Sequence, residues 1–498
     1  MRDTQALKAK KPAFGQALKW AYALNGFRQI ASVGITYLLA GLLGPREYGI
    51  VAMAVVVIAF AQDVFIDQGL SAAVIQRKDL KSEHLNAAFW LVSSFSVLFA
   101  CIVTVFSSWW GKINNMPEVA PVLSVLAWTM PLQGLSVVQQ ALLQREMAFK
   151  ALAFRGSLSV IAGGVVGVYL ALDGWGAWSL VGQRLAEAVV STCLLWVVAA
   201  WRPGFSCSSG HLRDLLSFSS GVMMTKVGLF LANRIDALVI GLFMGPLVAG
   251  LYRLAERTVT TLQDFVTRPL SLVSLPEFSK FQDDRDALAN RIKRSLEIAT
   301  LVALPSMALL AALGEPLFAV LGQEWVPAAG ALALFCLLGV AKNFTIFSST
   351  ALVALGRTHI QAAIIWVLAI VSGVCFVLGN WYFATFEMNT QLVGVSAVRV
   401  ISFILVYAPV SLWVLVRFAG VPLRWIIQTS SRPALIALAG ALTALVIRQW
   451  TDRVDLWPAV ELLICAAPAS LLIAGLTLYM SPELRARFLK RAKAPVPA

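Results

Sequence analysis

Three long stretches of this chain contain no charged residue: Ala88–Gly111, Val119–Gln144 and Val400–Val416. Each is near or above the roughly 17–25 residues that an α-helix needs to cross the hydrocarbon of a bilayer. Composition points the same way, with 59% hydrophobic and 13% charged residues and a mean hydropathy of +0.78. Soluble domains are about 45–50% apolar and about 25% charged. The chain therefore reads as an all-α integral membrane protein. Lys8, Lys10, Lys11 and Lys19 lead into an apolar segment that is too long for a cleavable signal and lacks a small-residue cleavage site, so it reads as a retained first span.

Apolar runs bounded by charge, Pro or Gly place about 14 transmembrane helices near 18–43, 48–66, 87–108, 119–143, 156–172, 177–200, 217–243, 248–273, 296–319, 328–354, 359–379, 392–416, 433–450 and 457–479. The loops between them alternate in basic content. One set carries nearly all the loop bases, the other only Arg46, Lys112, Arg448 and Arg453. The positive-inside rule then puts both termini in the cytoplasm, as an even number of spans requires. The +14 net charge is explained by this topology, and no nucleic-acid partner is expected. Tryptophans at span ends, among them Trp109, Trp175, Trp325, Trp381, Trp450 and Trp457, read as interface anchors.

A weak repeat runs through the chain. Ala40-Gly-Leu-Leu-Gly-Pro-Arg-Glu-Tyr-Gly49 joins the first two spans, and Ile240-Gly-Leu-Phe-Met-Gly-Pro-Leu-Val-Ala-Gly-Leu-Tyr252 joins the seventh and eighth. Six spans separate the copies, so the repeats are parallel, as in two-bundle transporters that hold substrate near the midplane. The expected architecture is two parallel-repeat six-helix bundles plus two C-terminal helices. Its parts are residues 1–215, residues 216–430 with a charged cytoplasmic connector at 276–295, and an appendage at 431–498. The six cysteines contain no CxxC pair and the three histidines do not cluster, so neither a disulfide framework nor a metal site is expected.

Against this apolar background several bases fall inside spans, among them Arg28, Arg184, Lys226, Arg234, Arg253, Arg257, Lys342 and Arg399. One charge at mid-bilayer costs roughly 2.5–3.5 kcal/mol on insertion scales. A chain that keeps this many turns them toward a water-filled cavity, and the excess of bases over acids points to an anionic cargo. Asn25, Arg28, Gln29, Ser32 and Thr36 recur at helical spacing as a polar stripe, suited to cavity lining or to interhelical hydrogen bonds. Lys226, Asn233, Arg234 and Asp236 cluster on the seventh span, either facing the cavity or paired internally. Arg253 and Arg257 flank Glu256, with snorkelling as the alternative to a cavity role. Lys342 and Arg399 have no acid nearby in sequence, which favours them as anion ligands. Asp63, Asp67 and Asp236 are the acids that would bind a coupling ion, with pairing to Arg28 or a capping role as alternatives for the first two. Thr129, Gln133, Ser136, Gln140 and Gln144 form a neutral stripe suited equally to sugar hydroxyls and to helix–helix bonding.

No Walker loop, HExxH or GxSxG signature occurs, so no enzyme chemistry is expected. Leu43-Gly-Pro-Arg-Glu-Tyr-Gly-Ile50, Asp67-Gln-Gly-Leu-Ser-Ala-Ala-Val-Ile-Gln-Arg77 and Leu321-Gly-Gln-Glu-Trp-Val-Pro-Ala328 resemble the polysaccharide-transporter family. This is the Wzx-type lipid-linked oligosaccharide flippase branch of the multidrug/oligosaccharidyl-lipid/polysaccharide exporter superfamily. The resemblance spans nearly the whole chain. It implies two six-helix bundles around a cationic cavity. By alternating access, that cavity would move an undecaprenyl-pyrophosphate-linked repeat unit to the periplasmic leaflet of a bacterial inner membrane. The product would serve O-antigen, capsule or, on general likeness, exopolysaccharide assembly. Membrane lipid, a polysaccharide polymerase and export machinery are the implied partners. No cofactor is expected, with Na+ or H+ coupling left open. The rival readings are a drug or cation antiporter of the same superfamily, which would want acids in its cavity, and a polysaccharide polymerase, whose large outer loop is missing here.

Overall fold

The computed structural model describes residues 14–66, 74, 82–205, 209–451, 453–454 and 456–480, and among these every regular element is helical. Two compact units divide at Phe230 and Leu231, inside one long helix. The first carries α1 (Phe14–Ala61), α2 (Ser82–Ile113), α3 (Val119–Ala127), α4 (Thr129–Gly134), α5 (Val137–Arg145), α6 (Phe149–Leu172), α7 (Ala177–Val198) and the start of α8 (Ser209–Ser279). The rest of α8 opens the second unit. It continues through α9 (Arg285–Ala312), α10 (Gly314–Ala319), α11 (Ala328–Ala354), α12 (Thr358–Phe383), α13 (Met388–Ser402), α14 (Ala408–Arg417), α15 (Leu423–Thr451) and α16 (Pro458–Met480).

A straight helix of 48 residues would be roughly 72 Å long at 1.5 Å per residue, more than twice the hydrocarbon thickness. α1 avoids that length by breaking at Gly44 (φ 74°, ψ 168°), directly before Pro45. α8 breaks in the same way at Gly245 (φ 78°, ψ 179°), before Pro246. Only glycine enters this backbone region without strain. Eleven described helical runs are long and apolar enough to cross a membrane, and the bent run from Val119 to Arg145 adds a twelfth. Counting the arms of α1 and of α8 as separate crossings brings the number to the expected fourteen.

The expected fourth span is three short helices, α3 to α5, with a 41° bend. Pro131 lacks the N–H that would bond the carbonyl of Ala127, and the helix breaks at Trp128. Gly134 ends the second piece where α2 crosses, since a Cβ there would lie 2.3 Å from Ser96 Oγ. In the same unit α6 is wedged between α1 and α7. A Cβ on Gly164 would meet Ile35 Cδ1 at 2.3 Å, and one on Gly163 would meet the Gln183 carbonyl at 2.7 Å. Without a hydrophobic force between helices in lipid, small residues of this kind let the backbones approach closely enough to pack.

In the second unit α9 packs along α11 and α15, burying Ile292, Leu296, Ala299, Phe347, Ala351 and Ile426 together. Within the charged connector at 276–295, helices enter from both ends. α8 runs on to Ser279, and α9 starts after Asp284, whose side chain accepts from the backbone N–H groups of Asp286 (3.1 Å) and Ala287 (3.0 Å). That N-cap satisfies two of the orphan donors of the first turn. The C-terminal pair packs on the second unit. α15 and α16 pack on α9 and α10 through Ala312, Leu313, Ala444, Cys465 and Ala469, with an Arg448–Glu315 ion pair beside them. Trp109, Trp175, Trp381, Trp450 and Trp457 are exposed, as anchors should be. Trp325 is fully buried in the turn Gln323–Trp325, so its role is packing.

Candidate functional site

In the first unit the polar stripe of α1 meets α6. Arg28 is half-buried and lies across Gly156, where an added Cβ would stand 3.0 Å from its Cδ and 3.2 Å from its Nη1. Among the described residues it makes no ion pair. The next residue back on α6 is Arg155, a second half-buried guanidinium within electrostatic reach of Arg28. Arg155 Nη1 donates to Gln140 Oε1 at 3.2 Å, while its Nε is buried without an acceptor. Two like charges thus sit together with an amide, not a carboxylate, beside them. Gln29 is half-buried one residue on from Arg28, and Thr36 spends its hydroxyl on the Ser32 carbonyl at 2.7 Å. The Asn25 side chain lies outside the described residues.

The neutral stripe of the fourth span divides between uses. Thr129 Oγ1 bonds the Leu126 carbonyl (2.7 Å), Ser136 Oγ reaches Thr192 Oγ1 (3.0 Å), and Gln140 holds Arg155. Gln133 stays exposed. Asp63, in the π-helical segment Gln62–Ile66, is exposed, and Asp67 lies outside the described residues.

The second unit handles its buried charges differently. Asp236 on α8 is fully buried, accepts a 2.6 Å hydrogen bond from Tyr252 Oη, and faces Arg399 Nε of α13 at 3.9 Å. Arg399, 3% exposed, donates from Nη1 to the Ala232 carbonyl at 3.1 Å, with its Cζ 5.6 Å from the centre of the Phe376 ring. The lack of an acid near Arg399 in sequence is therefore overturned in space: the fold supplies Asp236. The same contact gives Asp236 a resident cation. Arg253 forms an ion pair with Glu256 one turn along, and Arg257 is exposed. Lys342, half-buried on α11, lines a small pocket with Glu256, Thr260 and Gln263 that has room for about one water molecule. Lys226 and Arg234 are half-buried and Asn233 is exposed, all on α8.

Sequence reasoning missed Arg155, because the fifth span was placed at 156–172 whereas α6 begins at Phe149, and the arginine was counted with the loop. It also missed Tyr252, an aromatic on an apolar helix whose hydroxyl shows its purpose only against Asp236.

A family model described as polysaccharide biosynthesis protein matches residues 38–330, more than half of the chain. The succinoglycan biosynthesis transport protein ExoT of Rhizobium meliloti (strain 1021) is 28% identical over 467 residues, covering 92% of each chain. The lipopolysaccharide biosynthesis protein WzxC of Escherichia coli (strain K12) is 24% identical, covering 61% of this chain and 62% of its own. Among solved structures, the lipid II flippase MurJ in its inward closed conformation superposes with a TM-score of 0.72 at 14% identity. That match covers 93% of this chain and 99% of MurJ, and it shows a shared fold. The chain belongs to the polysaccharide biosynthesis protein family, as a multi-pass membrane protein.

Proposed function

We propose that the protein is a flippase of the bacterial inner membrane. Its cargo would be an undecaprenyl-pyrophosphate-linked oligosaccharide repeat unit, carried by alternating access from the cytoplasmic to the periplasmic leaflet for exopolysaccharide, capsule or O-antigen assembly. Both termini then face the cytoplasm, on the side richest in bases. The observation that carries the reading is Arg28, a half-buried guanidinium that makes no ion pair among the described residues. Holding such a charge in a membrane helix is costly unless an anion or water meets it, and a guanidinium grips a phosphate oxyanion through two parallel charge-assisted hydrogen bonds. Gln29 beside it suits the first sugar. Lys226, Asn233, Arg234 and Lys342 are further cavity candidates, and Asp63, Asp67 and Asp236 are the candidates for Na+ or H+ coupling, of which Asp236 already faces a guanidinium. The same pairing weighs against a cation exporter, which needs an uncompensated buried acid.

The test is the fate of lipid-linked repeat units in a deletion strain. A flippase mutant accumulates single units facing the cytoplasm. Single units facing the periplasm would indicate a polymerase, and no accumulation would indicate another cargo.

A further inference from the structure

Resting on that reading and extending it, we infer that Arg28, Arg155 and Gln140 form one seat for a diphosphate-type oxyanion, with Arg155 as a second ligand that Gln140 orients without neutralising. Four observations converge on it. The two guanidinia come from different helices, α1 and α6, and lie close enough for their charges to act on each other. Gly156 leaves the space into which the Arg28 side chain lies, beside the Cα of its partner. Arg155 keeps a buried Nε–H with no acceptor, and buried donors in folded proteins are seldom left so. The group that fixes Arg155 is an amide oxygen, which accepts a hydrogen bond but supplies no countercharge.

Two adjacent like charges in a membrane helix pair raise each other's energy, and an anion between them reverses the sign of that interaction. A monoanion would leave one positive charge uncompensated; a diphosphate carries enough charge, and enough oxygens, for both forks. Gln140 is the specificity device. A Glu at that position would pair with Arg155 internally, as Asp236 does with Arg399, and leave a single cation for the ligand.

The full-length protein in detergent, titrated calorimetrically with inorganic pyrophosphate and with undecaprenyl pyrophosphate in mixed micelles, tests this. Phosphatidylglycerol and phosphatidylinositol, both phosphodiesters, serve as single-charge lipid controls. Both pyrophosphate forms should bind. Arg155→Ala and Gln140→Glu should each weaken them by about ten-fold or more, in line with the usual strength of hydrogen bonds to charged groups. Arg155→Lys should restore part of the loss. Gln140→Glu should keep the wild-type unfolding temperature, since Arg155 retains its acceptor, so it decides the matter if Arg155→Ala folds poorly. Tighter binding of the lipid form than of the soluble one assigns the seat to the lipid headgroup; equal binding would overturn the lipid assignment. Wild-type binding in both Arg155→Ala and Gln140→Glu, or equal binding of the single-charge lipids, would overturn the seat. Such a binding result, together with accumulation of lipid-linked units in the deletion strain, refutes the seat and leaves the flippase reading standing. If they do not accumulate, the flippase reading itself has failed.

Discussion

The two units repeat a backbone and diverge in charge. Each turns at a glycine with almost the same dihedral angles, Gly44 in one and Gly245 in the other, and each follows it with proline. After the proline the chemistry separates. In the first unit Arg46 Nη2 donates to both carboxylate oxygens of Glu118 (3.0 and 2.9 Å), and Glu47 accepts from the Ala177 N–H (3.0 Å) at the start of α7. In the second unit the corresponding residues are Leu247, exposed, and Val248, buried. The buried arginines diverge in the opposite sense. Arg28 and Arg155 sit together beside an amide, whereas Arg399 faces a carboxylate. A buried ion pair is structural in its consequences, because removing one partner strands the other. A half-buried guanidinium that makes no ion pair among the described residues is placed to meet an anion.

The largest effect should come from disturbing the paired site. Asp236→Ala leaves Arg399 buried without its carboxylate and should destabilise the protein by about 3–5 kcal/mol, read as a large fall in unfolding temperature in detergent. Adding Arg399→Leu should recover most of that loss. If Asp236→Ala unfolds at the wild-type temperature, the contrast between the units is lost.

Next in size are the turns. Gly44→Ala and Gly245→Ala each force a side chain into a region that only glycine enters easily, costing about 1–3 kcal/mol. Because the dihedral angles nearly coincide, the two losses should agree closely when measured by the same thermal scan. A marked inequality would mean that the turns are not equivalent.

The class of the protein, its crossings and both Gly-Pro turns were legible in sequence, because lipid imposes length and charge rules that act locally along the chain. The pairing of charges was not. Asp236 and Arg399 lie on different helices far apart in the chain, so Arg399 looked unpartnered until α8 and α13 were packed together. Arg155 was hidden by a boundary: the helix begins at Phe149, in front of the apolar run that marks the span. Trp325 carried the signature of an interface anchor, yet the turn that holds it folds inward. Position near a span end does not say which way a ring points.

Smaller effects should follow at the Gly-Pro turn of the first unit. Glu47→Ala removes an acceptor from a helix N-terminus and should cost about 1 kcal/mol. Leu247→Ala, at the exposed position of the second unit that matches Arg46, should change the unfolding temperature by much less. A Leu247 effect as large as that of Glu47 would show that the second turn is held as firmly without ions.

The central claim is that Arg28 on α1, which makes no ion pair among the described residues, is kept for cargo and not for folding. Polymer export by Arg28→Ala in a strain lacking the chromosomal copy, normalised to folded protein by size-exclusion fluorescence, measures it most directly. Loss of the hydrogen bonds to a charged group, about 1.5–3 kcal/mol, predicts export reduced by about an order of magnitude or more at an unchanged folded level, with partial recovery in Arg28→Lys. Normal export by a stably folded Arg28→Ala protein would contradict it.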